Sequence, residues 1–170
     1  PSTYPSLVGT CPLPYTTEVA VHQDQPRLDF RTTVEVHGQT VGALDVPAEW
    51  EGKDEPVVTD GKLMVHFTPA LTGQAKVVQD FPFSVGETRR RDINAGCWVD
   101  VSDDRCGMTL ANRGTMGYAW DGRTLSNILL YSGKYSWGEA QAFLDGVYTL
   151  EYGLAFHQGD EPHQVADHPA

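Results

Sequence analysis

The chain has 170 residues, 40% hydrophobic and 21% charged, with a formal net charge of −11 from 12 Lys+Arg against 23 Asp+Glu. That is enough for one domain with a real core and too short for a typical multi-domain enzyme; the composition excludes a disordered chain, and no stretch approaches the ~20 apolar residues of a membrane helix. The acidic balance argues against nucleic acid and anionic membrane as partners, both of which are bound chiefly through Lys and Arg, and the basic run Arg89-Arg90-Arg91, framed by Glu87 and Asp92, reads as a solvated loop.

Four prolines fall within the first fourteen residues, so residues 1–16 read as an extended lead-in or interdomain linker. The chain opens at Pro1 with no charged-then-apolar leader, which reads as a piece of something longer. Residues 17–160 are the expected β-domain and 161–170 a polar tail. From Arg27 to His37 the residues alternate, with Leu28, Phe30, Thr32, Val34 and Val36 on one face and Asp29, Arg31, Thr33 and Glu35 on the other, the pattern of a long half-buried strand. Gly38-Gln39 supplies a turn, residues 41–46 a short strand, and residues 47–60 an acidic loop. Asp60-Gly61 signals a tight turn before a strand with Leu63, Val65 and Phe67 on one face. Residues 75–80 and 83–85 continue the alternation across a break at Pro82.

Trp98, Val99 and Val101 are β-formers, Ser102-Asp103-Asp104 is turn chemistry, and Met108 and Leu110 resume the alternation, so residues 97–117 read as strand, turn, strand. Asp121-Gly122 is a second hairpin signal, and residues 125–131 form a near-continuous apolar run, a strand buried on both faces. Residues 132–143 are irregular, with one short helix expected around residues 138–144. A final strand follows over residues 147–156, alternating Tyr148, Leu150, Tyr152 and Leu154 with smaller residues. About nine to eleven strands with almost no helical periodicity predict an all-β, antiparallel β-sandwich.

Motifs of catalysis are missing: there is no HExxH, Gly-x-Ser-x-Gly, phosphate loop or dinucleotide fingerprint. Of the six histidines only His163 and His168 in the tail, near Asp160 and Asp167, have local spacing like metal ligands. Carboxylate pairs such as Asp100 with Asp103 or Asp145 with Glu151 are available for glycoside chemistry, but turn aspartates ordinarily bond their own loops. Rings for stacking on sugars are offered by Trp50, Trp98, Trp120, Trp137, Tyr118, Tyr131, Tyr135 and Tyr148, with Trp50 and Trp137 in loops. The three cysteines, Cys11, Cys97 and Cys106, exclude a fully paired framework. A Cys97–Cys106 bridge across a hairpin is one option, and reduced thiols of an intracellular, by preference cytoplasmic, protein are the simpler one.

The order of pieces is more specific than any of them alone. Trp98-Val-Asp-Val-Ser-Asp, then Gly107-Met-Thr-Leu-Ala-Asn-Arg-Gly, Gly117-Tyr, an Asp-Gly turn, Leu125-Ser-Asn-Ile-Leu-Leu, and Asp145-Gly-x-Tyr-x-Leu-x-Tyr-x-Leu-x-x-His resembles the C-terminal β-region of glycoside hydrolase family 38, the α-mannosidases. The resemblance implies a sandwich of the galactose-mutarotase-like or supersandwich type. It also implies a partner, an N-terminal catalytic domain of the same polypeptide, which holds the zinc and the aspartate nucleophile of a retaining mechanism on a mannose-containing glycan. No cofactor and no catalytic residue is then expected in this chain. By motif position the resemblance singles out Asn112, Arg113 and Asp145 as sugar contacts. Where relatives often continue Leu-Leu with Arg, this chain has Tyr131. The competing reading is an autonomous carbohydrate-binding sandwich whose exposed aromatics hold glycans.

Overall fold

A computed structural model describes residues 2–4, 13–39, 59–134 and 144–159. Among these lie twelve strands: β1 (Ser2–Tyr4), β2 (Leu13–Val21), β3 (Arg27–Gln39), β4 (Thr59–Phe67), β5 (Lys76–Phe81), β6 (Ser84–Glu87), β7 (Asp92–Asn94), β8 (Trp98–Ser102), β9 (Cys106–Asn112), β10 (Gly117–Trp120), β11 (Leu125–Lys134) and β12 (Leu144–Gln158). They form an eight-stranded sheet in the order β1-β2-β3-β12-β9-β8-β5-β6 and a four-stranded sheet in the order β4-β11-β10-β7. The fold is therefore the all-β, antiparallel, sandwich-like architecture that the alternation predicts, and neither sheet closes on itself. No helix of the described residues is long and apolar enough to cross a membrane.

Chain contacts divide the molecule into two units, and β2, β3, β4, β11 and β12 each contribute to both. One unit contains residues 1–17, 32–64 and 129–149. Its buried apolar residues include Leu13, Val34, Val36, Leu63, Leu129 and Leu130, and the Thr17 and Thr32 hydroxyls meet at 2.9 Å. Ser2–Tyr4 pairs antiparallel with β2, so part of the stretch read as an extended lead-in is paired strand. Asp60-Gly61 lies inside β4 rather than in a turn, because turn propensity is local and ladder pairing overrides it. The expected strand over 41–46, the loop tryptophans Trp50 and Trp137, residues 138–143 of the expected helix and most of the polar tail lie outside the described residues; Leu144 itself opens β12.

The second unit contains residues 18–31, 65–128 and 150–170. Its core is built from Val77, Val99, Val101, Met108, Leu110 and Leu154 of the larger sheet and Ile93, Tyr118 and Leu125 of the smaller. Phe30 and Tyr152 stack with centroids 5.1 Å apart, and Phe67 tilts against both at 5.6 and 6.2 Å, an arrangement that adds about 0.5–1.5 kcal/mol per pair to plain burial. The β8–β9 hairpin forms where turn chemistry placed it, in the register Val99↔Leu110 and Ser102↔Gly107. Asp103 holds this turn: its Oδ1 accepts the N–H groups of Arg105 and Cys106 at 2.9 and 3.0 Å, and its Oδ2 those of Thr72 and Gly73 at 2.8 and 2.9 Å. Those four donors hold its carboxyl well below the usual carboxylate range.

The hairpin also disposes of the disulfide option. Cys97 lies at its open end, where its carbonyl accepts from Asn112 N, and Cys106 at the turn end, where its carbonyl accepts from Asp103 N. Both thiols are free, because the two ends of a strand pair are too far apart for a bridge.

Candidate functional site

Alternation places Arg27, Asp29 and Arg31 on the face of β3 opposite the core-facing Leu28 and Phe30, and Glu151 and Gly153 on the same side of β12. With Glu18, Val19 and Ala20 of β2, Phe30, Tyr152 and Arg113 after β9 they line a cleft of about 520 Å³. Its size falls in the range of small-molecule clefts.

The charges of the cleft are organised into two networks. Arg31 donates from Nε and Nη2 to Glu151 Oε1 at 3.1 and 3.0 Å, while Arg113 Nη1 approaches Oε2 at 3.5 Å. Arg27 Nε donates to Asp29 Oδ1 at 2.7 Å and His22 Nε2 meets Oδ2 at 2.6 Å. Burial pulls the Asp29 carboxyl upward, but Arg27 and His22 outweigh it and the net shift is downward. Gly153 leaves room for this pair, since a Cβ at this position would stand 2.8 Å from Asp29 Oδ1 and 3.3 Å from Leu28 O. A carboxylate held ionised by an arginine is a poor proton donor. Fixed guanidinium and carboxylate groups are suited instead to orienting hydroxyl groups.

Of the three residues singled out by motif position, Arg113 is exposed and lines this cleft. Asn112 is buried: its Nδ2 donates to the Tyr118 hydroxyl and its Oδ1 accepts from Thr115 N at 3.1 Å. The Tyr118 hydroxyl in turn donates to Cys97 O at 2.9 Å, and burial, with Asp80 and Cys97 nearby, pushes that phenol upward. Asp145 belongs to the other unit, where its Oδ1 accepts from Gly38 N at 3.0 Å. Arg27, Asp29 and Arg31 were visible in the sequence only as the polar face of a strand. Arg31 and Glu151 are 120 positions apart, so no local spacing could have joined them.

The pair Asp100 and Asp103 does not form an acid/base couple. Asp103 caps the turn, whereas Asp100 is fully buried, accepting from Thr109 Oγ1 at 2.8 Å and Ser102 Oγ at 2.9 Å and lying 2.8 Å from His157 Nε2. The serine donates to the carboxylate and not to the imidazole, so this cluster is not a nucleophilic triad. It rests on Gly107, whose missing side chain leaves room for the ring: a Cβ there would lie 2.2 Å from His157 Cε1.

Among the described residues no three His, Cys, Asp or Glu side chains converge as metal ligands do. His22 faces Asp29, His37 faces Glu35 at 3.1 Å and His66 faces Ser126 at 2.7 Å. His163, His168, Asp160 and Asp167 lie outside the described residues. Trp98 and Trp120 are half-buried.

Fold and cleft together define an antiparallel β-sandwich with a polar, ion-paired recess and no metal seat among the described residues. No protein-family model and no curated protein matches the chain. Solved structures do match. A protein of glycosyl hydrolase family 38 from Enterococcus faecalis is similar with a TM-score of 0.64 and 21% identity, over 89% of this chain and 17% of that one. An alpha-mannosidase from Enterococcus faecalis V583 is similar with a TM-score of 0.62 and 20% identity, over 89% and 17%. The chain thus shares the fold of one segment of these proteins and spans less than a fifth of their length.

Proposed function

We propose that the chain is the β-sandwich part of an α-mannosidase of glycoside hydrolase family 38. In this reading it braces an N-terminal catalytic domain of the same polypeptide, which supplies the zinc, the nucleophile and the hydrolysis of α-mannosidic bonds in a mannose-containing glycan. The observation that carries the reading is the coverage: 89% of this chain follows a segment that makes up 17% of the longer hydrolase chains. Two features of the site support a supporting role over a chemical one. The cleft carboxylates Asp29 and Glu151 are ion-paired, and Asp100 is sealed inside a closed hydrogen-bond cluster.

Within that reading Arg113, with Arg31, contributes hydroxyl contacts to the glycan from the side of the pocket, positioning it without touching the reacting atoms. Asn112 acts through the loop it holds, by fixing Tyr118 and Thr115 behind Arg113.

The test is hydrolysis of an aryl α-mannoside. The polypeptide carrying these residues together with its catalytic domain is expected to hydrolyse it and to lose activity with a zinc chelator, whereas the 170 residues alone are expected to be inert. Turnover by this chain alone would defeat the proposal.

A further inference from the structure

The β5–β6 hairpin reverses the usual distribution of residues. Phe83 stands fully exposed at its apex, at 107% of the reference surface, with Val85 at 57% and Phe81 at 40% beside it. In the register Phe81↔Ser84 and Asp80↔Val85, directly opposed residues share a face and successive pairs alternate, so Phe81 and Val85 point to opposite sides with Phe83 between them. A tip with apolar side chains on both sides and at its apex is shaped to enter a recess. One with a single apolar face would lie against a flat surface. The backbone is also bent to present the ring: Phe83 follows Pro82 in a two-residue turn and has a φ of 71°, a position normally given to Gly or Asn. Strand β6 ends the sheet order, so the hairpin projects from an edge. Beyond it the exposed Arg89 and Arg90 have no carboxylate within ion-pairing distance among the described residues.

We propose that this hairpin tip is a plug that docks into an apolar recess with a carboxylate-bearing rim on another domain of the same, longer polypeptide. The inference rests on the functional reading above and supplies the surface through which bracing would act. That occupant is favoured on two grounds. The similar hydrolase chains have most of their length outside the matched segment. A second copy of this chain and an anionic membrane both meet a net charge of −11, which opposes approach, whereas the local Arg89-Arg90-Arg91 run suits an acidic rim.

The experiment places p-benzoylphenylalanine at position 83 of the complete polypeptide and irradiates it. A cross-link within one polypeptide, to a residue outside these 170, is expected. Cross-links between copies, or none, overturn the proposal. Phe83→Asn in the complete polypeptide provides the second arm, because asparagine suits the left-handed backbone and preserves the turn. Loss of an interface anchor is expected to favour the undocked state by about thirtyfold, splitting one unfolding transition into two. A single unchanged transition also overturns it. Mannosidase activity separates the two readings: an internal cross-link in an inactive polypeptide upholds docking and sinks the enzyme assignment, and activity without any cross-link does the reverse.

Discussion

Two regions of the same eight-stranded sheet handle polarity in opposite ways. At β8, β9 and β12 a carboxylate, an imidazole and two hydroxyls are sealed from water; at the β5–β6 tip two phenyl rings and a valine are left in it. The first is tolerable because the carboxylate accepts from both hydroxyls and meets His157 Nε2, since an unpaired buried charge would cost several kcal/mol. The second has no compensation among the described residues. Burial of polar groups here is a property of the internal architecture, whereas exposure of apolar ones marks a surface that another body is expected to cover.

The comparison breaks most violently at Asp100. Asp100→Ala strands His157, Thr109 and Ser102 in the interior and should cost about 3–5 kcal/mol, read as a fall in the urea midpoint at constant slope. Unchanged stability would mean that the cluster is not structural. Gly107→Ala forces a methyl against His157 and Ser102, at 2.2 and 2.6 Å from their nearest atoms, and about 1–3 kcal/mol of destabilisation is expected in the same measurement.

Asp103 sharpens the contrast through pH. Its folded pKa lies below the unfolded value of about 3.9, so the carboxylate stabilises the fold above that pH and the contribution fades as pH falls through the folded value. Asp103→Asn should therefore destabilise at neutral pH and flatten the acid limb of the stability curve. A parallel, uniformly lowered curve would contradict this account.

At the tip the sign reverses. Phe83→Asn relieves a backbone conformation that costs about 1 kcal/mol or more for a bulky residue, so the thermal midpoint of this chain should rise slightly even as docking in the longer polypeptide is lost. The smallest effect is reserved for the exposed arginine of the cleft. Arg113→Ala should change stability by about 0–1 kcal/mol and, on the α-mannosidase reading proposed above, raise KM for an aryl α-mannoside with kcat nearly unchanged in the longer polypeptide; equal losses in kcat and kcat/KM would argue for a role in the chemical step.

Much of the fold was legible because its signals are local and periodic. The alternation of Leu28 to Val36, the Ser102-Asp103-Asp104 turn, the Asp121-Gly122 turn, in which Asp121 Oδ1 accepts from Arg123 and Thr124, and the continuous run of β11 all became the elements they announced. Failures came where a local preference met a long-range partner, as at Asp60-Gly61 and in the pairing of Ser2–Tyr4 with β2.

The sequence by itself determined that this chain is all-β, acidic and without a gathered catalytic motif, because side-chain alternation, turn residues and charge are properties of neighbours along the chain. Only the tertiary structure decided which polar residues meet. Strand order places β12 between β3 and β9, bringing Glu151 to Arg31 and Arg113, and His157 to Asp100. Such encounters depend on sheet register between distant segments, for which a single sequence carries no local signal.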